Sequence, residues 1–265
     1  MRRPLSPSLA PRLGLHILAY HGINADSADH LSVPPSLFDA QMAWLRHNNF
    51  QVVSLAEGMA RLRCSEELGP CVALTLDDGY ADFLAHAAPI LARHGFLATL
   101  FVVTRKLGGV ADWAGAPRGQ RLLTAHALRE LVDLGHAIGS HGASHARLTH
   151  LCPADLVTEL RESKGRLEKE LGVTPFAFAY PYGAFRKRER DAVAAAGYAC
   201  ACGIRGWANT AQTDPFALRR IEMWAGYSMR EYEALLTARF KWPRLTRAAK
   251  HIVGGIQHER VGRHS

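Results

Sequence analysis

TLDDGY at residues 75–80 sets two carboxylates, Asp77 and Asp78, side by side and follows them with a glycine. Adjacent residues of a straight strand point to opposite faces, so both aspartates serve one site only where the strand has ended and the chain is turning. Gly79 permits that turn. Neighbouring carboxylates repel unless a cation or a proton stands between them, which suits one as metal ligand and the other as base. The alternative is a turn whose aspartates cap a helix beginning near Tyr80. SHGASH at 140–145 adds His141 and His145, four apart on one local face and able to share one divalent ion. Asp78, His141 and His145 would supply three protein ligands and leave a position for water, the composition of a hydrolytic rather than a structural zinc site. The same donors accept cobalt, nickel or iron.

The surrounding pattern explains how such residues could meet. Strand-like runs at 15–20, 51–55, 71–76, 98–103, 136–140, 176–180, 198–203 and 218–223 alternate with helical patterns, as in a parallel sheet or barrel. Ser36 is placed to cap a helix with Phe38, Met42 and Leu45 on one face. Thr124 is placed to cap another carrying Leu128, Leu131 and Leu134, and Pro153 suits the first turn of a third with Leu156, Leu160 and Leu167. Segments 105–121 and 204–217 lack periodicity and read as long loops over one end of a barrel. His21, Asp77 with Asp78, His141 with His145, and Pro181, Tyr182 and Gly183 each follow a strand. In a parallel α/β barrel the C-terminal strand ends open on one face, so these four places converge.

TLDDGY, SHGASH and AYPYG (179–183), in that order, resemble the first three motifs of polysaccharide deacetylases with the NodB homology domain, carbohydrate esterase family 4. The resemblance spans roughly residues 15–225. It implies an α/β fold, a distorted (β/α)7 TIM-like barrel, and a metal-dependent hydrolase acting on acetylated saccharides. Carried over by motif, Asp77 is the general base, Asp78, His141 and His145 are the metal ligands, and the Tyr182 N–H faces the oxyanion. Pro181, Tyr182, Gly183 and Arg220 are taken as substrate-binding. Two positions depart from the family pattern. Ala179 stands where the third motif has an arginine that holds the catalytic aspartate, and Arg219 and Arg220 are the candidates to replace it. No Leu-x-His follows residue 220, the place of the family's general acid. LAYHGI (18–23) instead resembles the circularly permuted poly-N-acetylglucosamine deacetylases, in which His21 matches the acid. Competing readings are an O-acetyl esterase or non-sugar amidase on the same site, and a non-catalytic carbohydrate-binding barrel, which Ala179 motivates.

Composition bounds the rest. The 265 residues are 48% hydrophobic and carry a formal charge of +8, much of it near the ends. The expected organisation is a basic extension (1–14), the catalytic domain (15–238) and a basic tail (239–265). The start reads poorly as a signal peptide, because prolines and His16 interrupt it. Five scattered cysteines fit a reducing cytoplasm, with Cys200 and Cys202 as packed thiols. A cytoplasmic enzyme would meet a lipid-linked or soluble saccharide at the inner face of the membrane, and apolar residues among the charges of the tail would suit peripheral contact there. Nucleic-acid binding would rest on net charge alone and is not expected.

Overall fold

The computed structural model describes residues 14–25, 29–64 and 69–237, so the basic extension up to residue 13 and the tail from residue 239 lie outside the described residues, while Gly14 opens the first strand. The elements run β1 (Gly14–Tyr20), α1 (Pro35–His47), β2 (Gln51–Val53), α2 (Leu55–Arg63), β3 (Pro70–Leu76), α3 (Ala88–His94), β4 (Thr99–Val102), α4 (Ala125–Asp133), β5 (Ala137–Ser140), α5 (Pro153–Leu171), β6 (Ala177–Ala179), α6 (Lys187–Ala195), β7 (Cys200–Cys202), β8 (Ile221–Glu222) and α7 (Met229–Leu236). Every strand pair is parallel. The order β7-β6-β5-β4-β3-β1-β8 closes on itself, because a parallel bridge joins Cys202 to Leu218 just before β8 pairs with β1 through Leu18 and Ile221. The result is a seven-stranded ring, with β2 lying beside the first half of β3.

Strand parity decides what the ring encloses. Leu15, Ile17, Cys71, Ala73, Phe101, Ala177, Ala179, Cys200, Cys202 and Leu218, from strands all around the ring, pack into one cluster inside it. Leu55, Met59 and Leu62 of α2 join the same cluster. A side chain at Gly58 would come within 2.8 Å of Leu15, so this helix plugs the N-terminal mouth closely. The alternate residues, among them Leu18, Tyr20, Val72, Leu74, Leu100, Val102 and Ile138, face outward against Phe38, Met42 and Leu45 of α1, Leu91 of α3 and Leu128 and Leu131 of α4. Each such fully buried leucine contributes roughly 1.5–3 kcal/mol. Cys200 and Cys202 are packed thiols, and burial pushes the Cys202 thiol up to about 12.

Several local expectations are corrected. The first helix is not capped by Ser36: Pro34 is its N-cap and Pro35 its first residue, because a fixed proline φ is already helical there. Thr124 does cap α4, accepting from the Ala127 N–H, but Leu134 falls past its last turn and is 65% exposed. The second strand stops at Val53, because the Ser54 hydroxyl accepts from the Glu57 N–H and starts α2. Only Ile221 and Glu222 of the stretch 218–223 form a strand. Among the described residues no helix is long and apolar enough to cross a membrane.

Candidate metal centre at the C-terminal mouth

Asp77 continues the inward parity of Cys71, Ala73 and Thr75, and its N–H still donates to the Tyr20 carbonyl at 2.9 Å. The next residue leaves the strand. Asp78 has φ +71°, in the left-handed region, so its carboxylate turns back toward the same mouth. Gly79, at φ +73°, completes the turn, and a side chain there would lie 2.8 Å from Val102. His145 (φ +63°) and Tyr182 (φ +60°) are also left-handed. Such conformations cost roughly 1–3 kcal/mol each in non-glycine residues and gather at functional sites.

These turns bring three donors together. Asp78 Oδ1 lies 3.3 Å from His145 Nε2 and 3.5 Å from His141 Nε2, and all three side chains are buried. Ligands about 2.0–2.1 Å from a tetrahedral zinc ion stand roughly 3.3 Å apart, so the spacing fits a single ion. The hydrogen bonding fits as well. His141 Nδ1 donates to the Ala179 carbonyl at 2.8 Å, which leaves Nε2 with its lone pair facing Asp78. Asp78 Oδ1 is buried without a hydrogen-bond partner among the described residues, as a group awaiting a cation would be. Burial acts to raise the Asp78 carboxyl, but the polar contact with His145 and the nearby His21 and His141 outweigh it and hold it well below the usual carboxylate range. Burial pushes the His141 imidazole down to about 4 against the pull of Asp77, so at neutral pH it is uncharged, the form in which an imidazole can bind a cation.

Asp77 is held from below. Arg220, 0% exposed, donates from Nη1 to Asp77 Oδ1 at 2.6 Å and from Nη2 to Oδ2 at 2.7 Å. Its remaining donors reach Thr75 Oγ1 (3.2 Å) and the Gly203 carbonyl (3.1 Å), and the guanidinium lies over the Phe101 ring. Burial would raise the Asp77 carboxyl, yet Arg220, then His141, keep it ionised below the ordinary range. Arg220 therefore occupies the role of the missing arginine rather than the substrate-binding one: a fully buried side chain cannot touch a saccharide. Arg219 points away, exposed, its N–H bonded to Asn209.

His21 follows β1 and is buried, and its Nδ1 has no hydrogen-bond partner among the described residues. Pro181 is buried and Gly183 closes a short turn onto the Tyr180 carbonyl, leaving Tyr182, 37% exposed, at the rim. Its ring contacts His145 edge-on at 4.7 Å and lies 4.3 Å beneath the Arg147 guanidinium. Trp113, from the 105–121 loop, stacks on the His145 ring itself, with the centroids 4.5 Å apart. Trp113, Arg147 and Thr75 were not singled out from the sequence. Thr75 shares the strand parity of Asp77 and was findable on that ground, whereas nothing local marks Trp113 or Arg147.

Comparison with known proteins follows the same lines. A family model described as polysaccharide deacetylase matches residues 65–201. The Bacillus subtilis (strain 168) protein YxkH is 29% identical over 217 residues, covering 81% of this chain and 73% of that one. The poly-beta-1,6-N-acetyl-D-glucosamine N-deacetylase of Escherichia coli (strain K12) is 37% identical over 84 residues, which are 31% of this chain but 12% of the larger protein. The Streptococcus pyogenes deacetylase PplD, solved in complex with acetate, superposes with a TM-score of 0.74 at 27% identity, over 86% of this chain and 99% of that one.

Proposed function

The chain belongs to the polysaccharide deacetylase family, and on that premise we propose that it hydrolyses the N-acetyl groups of an amino-sugar glycan at the mouth formed by Asp77, Asp78, His141, His145 and His21. The observation that carries the reading is the convergence of Asp78, His141 and His145 beside an Asp77 already clamped by Arg220. Those three residues would hold a divalent cation, zinc foremost among the ions that such donors accept, and it would supply Lewis acidity toward the acetyl carbonyl and the attacking water. The rest is work for the chain itself. Asp77, kept ionised and oriented by Arg220, accepts a proton from the water as it adds to the carbonyl carbon. The Tyr182 N–H is assigned to the oxyanion. His21 delivers a proton to the nitrogen as the C–N bond breaks, because an amine anion is too poor a leaving group to depart unprotonated. The products are acetate and the free amino sugar.

The N-deacetylase name of the Escherichia coli relative supports an amide over an ester. A lipid-linked glycan met at the inner membrane face remains part of the same proposal and is tested by cell fractionation. The central test is acetate release from chitin oligosaccharides and from poly-β-1,6-N-acetylglucosamine by purified protein. Chelator should stop release, zinc or cobalt should restore it, and Asp77→Asn should lower it by about 10²–10⁴-fold. Release that survives chelation, or a fully active Asp77→Asn, would overturn the reading.

A further inference from the structure

The two histidines of the centre are oriented unequally. His141 has a partner for its second ring nitrogen, the Ala179 carbonyl. His145 Nδ1 is buried with no hydrogen-bond partner among the described residues. Metal-ligating imidazoles are ordinarily fixed by a hydrogen bond from that nitrogen, so something else must set the direction of His145. Trp113 and Tyr182 limit the tilt of its ring, but neither fixes the backbone that carries it, which sits in the unfavoured left-handed region.

The group that does so comes from a different element. Glu159, on α5 and 4% exposed, accepts the Ser144 N–H on Oε1 at 2.7 Å, and the Ser144 hydroxyl lies 3.0 Å from both carboxylate oxygens. All of this carboxylate's hydrogen bonds seen here go to the residue directly before His145. Gly142 makes the approach possible: a side chain there would stand 2.9 Å from Glu159 Oε1, and the residue is itself at φ +84°. The turn is also pinned by the Thr104 N–H to the Gly142 carbonyl (3.1 Å) and the Arg105 N–H to the Ala143 carbonyl (2.8 Å). The 142–144 backbone is thus gripped between a strand end and a helix carboxylate.

Resting on the metal-site reading above, we propose that Glu159 is a positioning residue for the metal centre. By binding Ser144 it holds His145 in its left-handed conformation with Nε2 aimed at Asp78, taking the place of the hydrogen bond that His145 lacks. Glu159 touches neither metal nor substrate. Its effect should therefore appear in metal affinity and ligand geometry, and only through them in turnover.

The experiment is cobalt(II) binding to the full chain, read as affinity by chelator competition and as the intensity of the visible ligand-field bands, with thermal unfolding of each metal-free variant alongside. Glu159→Ala should weaken cobalt about 10–100-fold and alter the band shape. Glu159→Gln, whose amide oxygen still accepts from Ser144, should recover most of the affinity. Glu162→Ala, one turn along α5 and paired with Arg105 at the surface, should bind as the wild type does. Wild-type affinity and spectrum in a folded Glu159→Ala would overturn the proposal while leaving the metal site intact. If that variant does not fold, Ser144→Ala decides: a severalfold loss of affinity supports the brace, and no change in affinity or spectrum sinks it. A wild-type chain that takes up no cobalt would overturn the metal-site reading first, and this inference with it.

Discussion

Beneath Asp77 the barrel interior supplies a fully buried guanidinium, two short hydrogen bonds, a threonine hydroxyl and a carbonyl, all directed at or around one carboxylate. Around His145 there is a left-handed backbone, a stacked tryptophan, an edge-on tyrosine and, among the described residues, a ring nitrogen without a hydrogen bond. The first region fixes its functional group by charge in a dry interior, where an ion pair is strong only while both members and their hydrogen bonds are present. The second fixes its group by shape and backbone, where losses are graded. A base must hold one protonation state and one direction, whereas a metal ligand needs only to keep its lone pair within reach of the ion.

Removing Arg220 should break the comparison most violently. Arg220→Met leaves Asp77 as an uncompensated buried charge and should cost about 3–5 kcal/mol of stability, read by chemical denaturation. Acetate release should fall at least about 100-fold in protein that remains folded. Arg220→Lys should be intermediate, since one ammonium cannot form both parallel bonds. A Met variant as stable as the wild type would show that charge pairing is not what holds Asp77.

Trp113→Ala tests the other side. Losing a half-buried ring that stacks on His145 should weaken metal binding by about tenfold with little change in the stability of the metal-free chain. Unaltered cobalt affinity would assign the control of His145 to its backbone alone.

Acid should separate the two regions without mutation. His141 titrates near 4 when folded, against about 6.5 unfolded, so between those values the unfolded chain binds a proton that the fold refuses. Metal-free protein should therefore lose about 1–3 kcal/mol as pH falls from 6.5 to 4. The Asp77 pairing, whose carboxyl is held low, is present above the ordinary carboxylate range and should give way only as pH falls below about 4. Urea midpoints across pH 7 to 3 in the presence of chelator would resolve the two steps. A flat midpoint between 6.5 and 4 would mean that His141 is not the buried neutral imidazole described.

Much of this was readable before the fold. Six of the eight strands lie within the stretches expected from their apolar runs, and β1 and β3 begin one residue earlier, at Gly14 and Pro70, because period-two burial and turn residues are written into neighbouring positions. Asp77 with Asp78, and His141 with His145, were recognisable for the same reason: each pair is local, and each stands just past an apolar strand. Helix starts were less legible where proline and serine competed for one cap, as at Pro34 and Ser36.

The sequence alone determined which residue types stand at the strand ends, and so which chemistry the mouth can perform. It could not say which cation reaches Asp77, because Arg220 lies 143 residues away and meets it only after the Cys202 to Leu218 bridge has closed the ring. Glu159 and Trp113 belong to the same class: an ordinary helix carboxylate and an ordinary loop aromatic until α5 and the 105–121 loop settle against the 141–145 turn. Strand parity and four-residue spacing are properties of adjacent bonds. The reach of a guanidinium across a barrel, and the rings that close on an imidazole, depend on how distant elements pack, which only the tertiary structure decided.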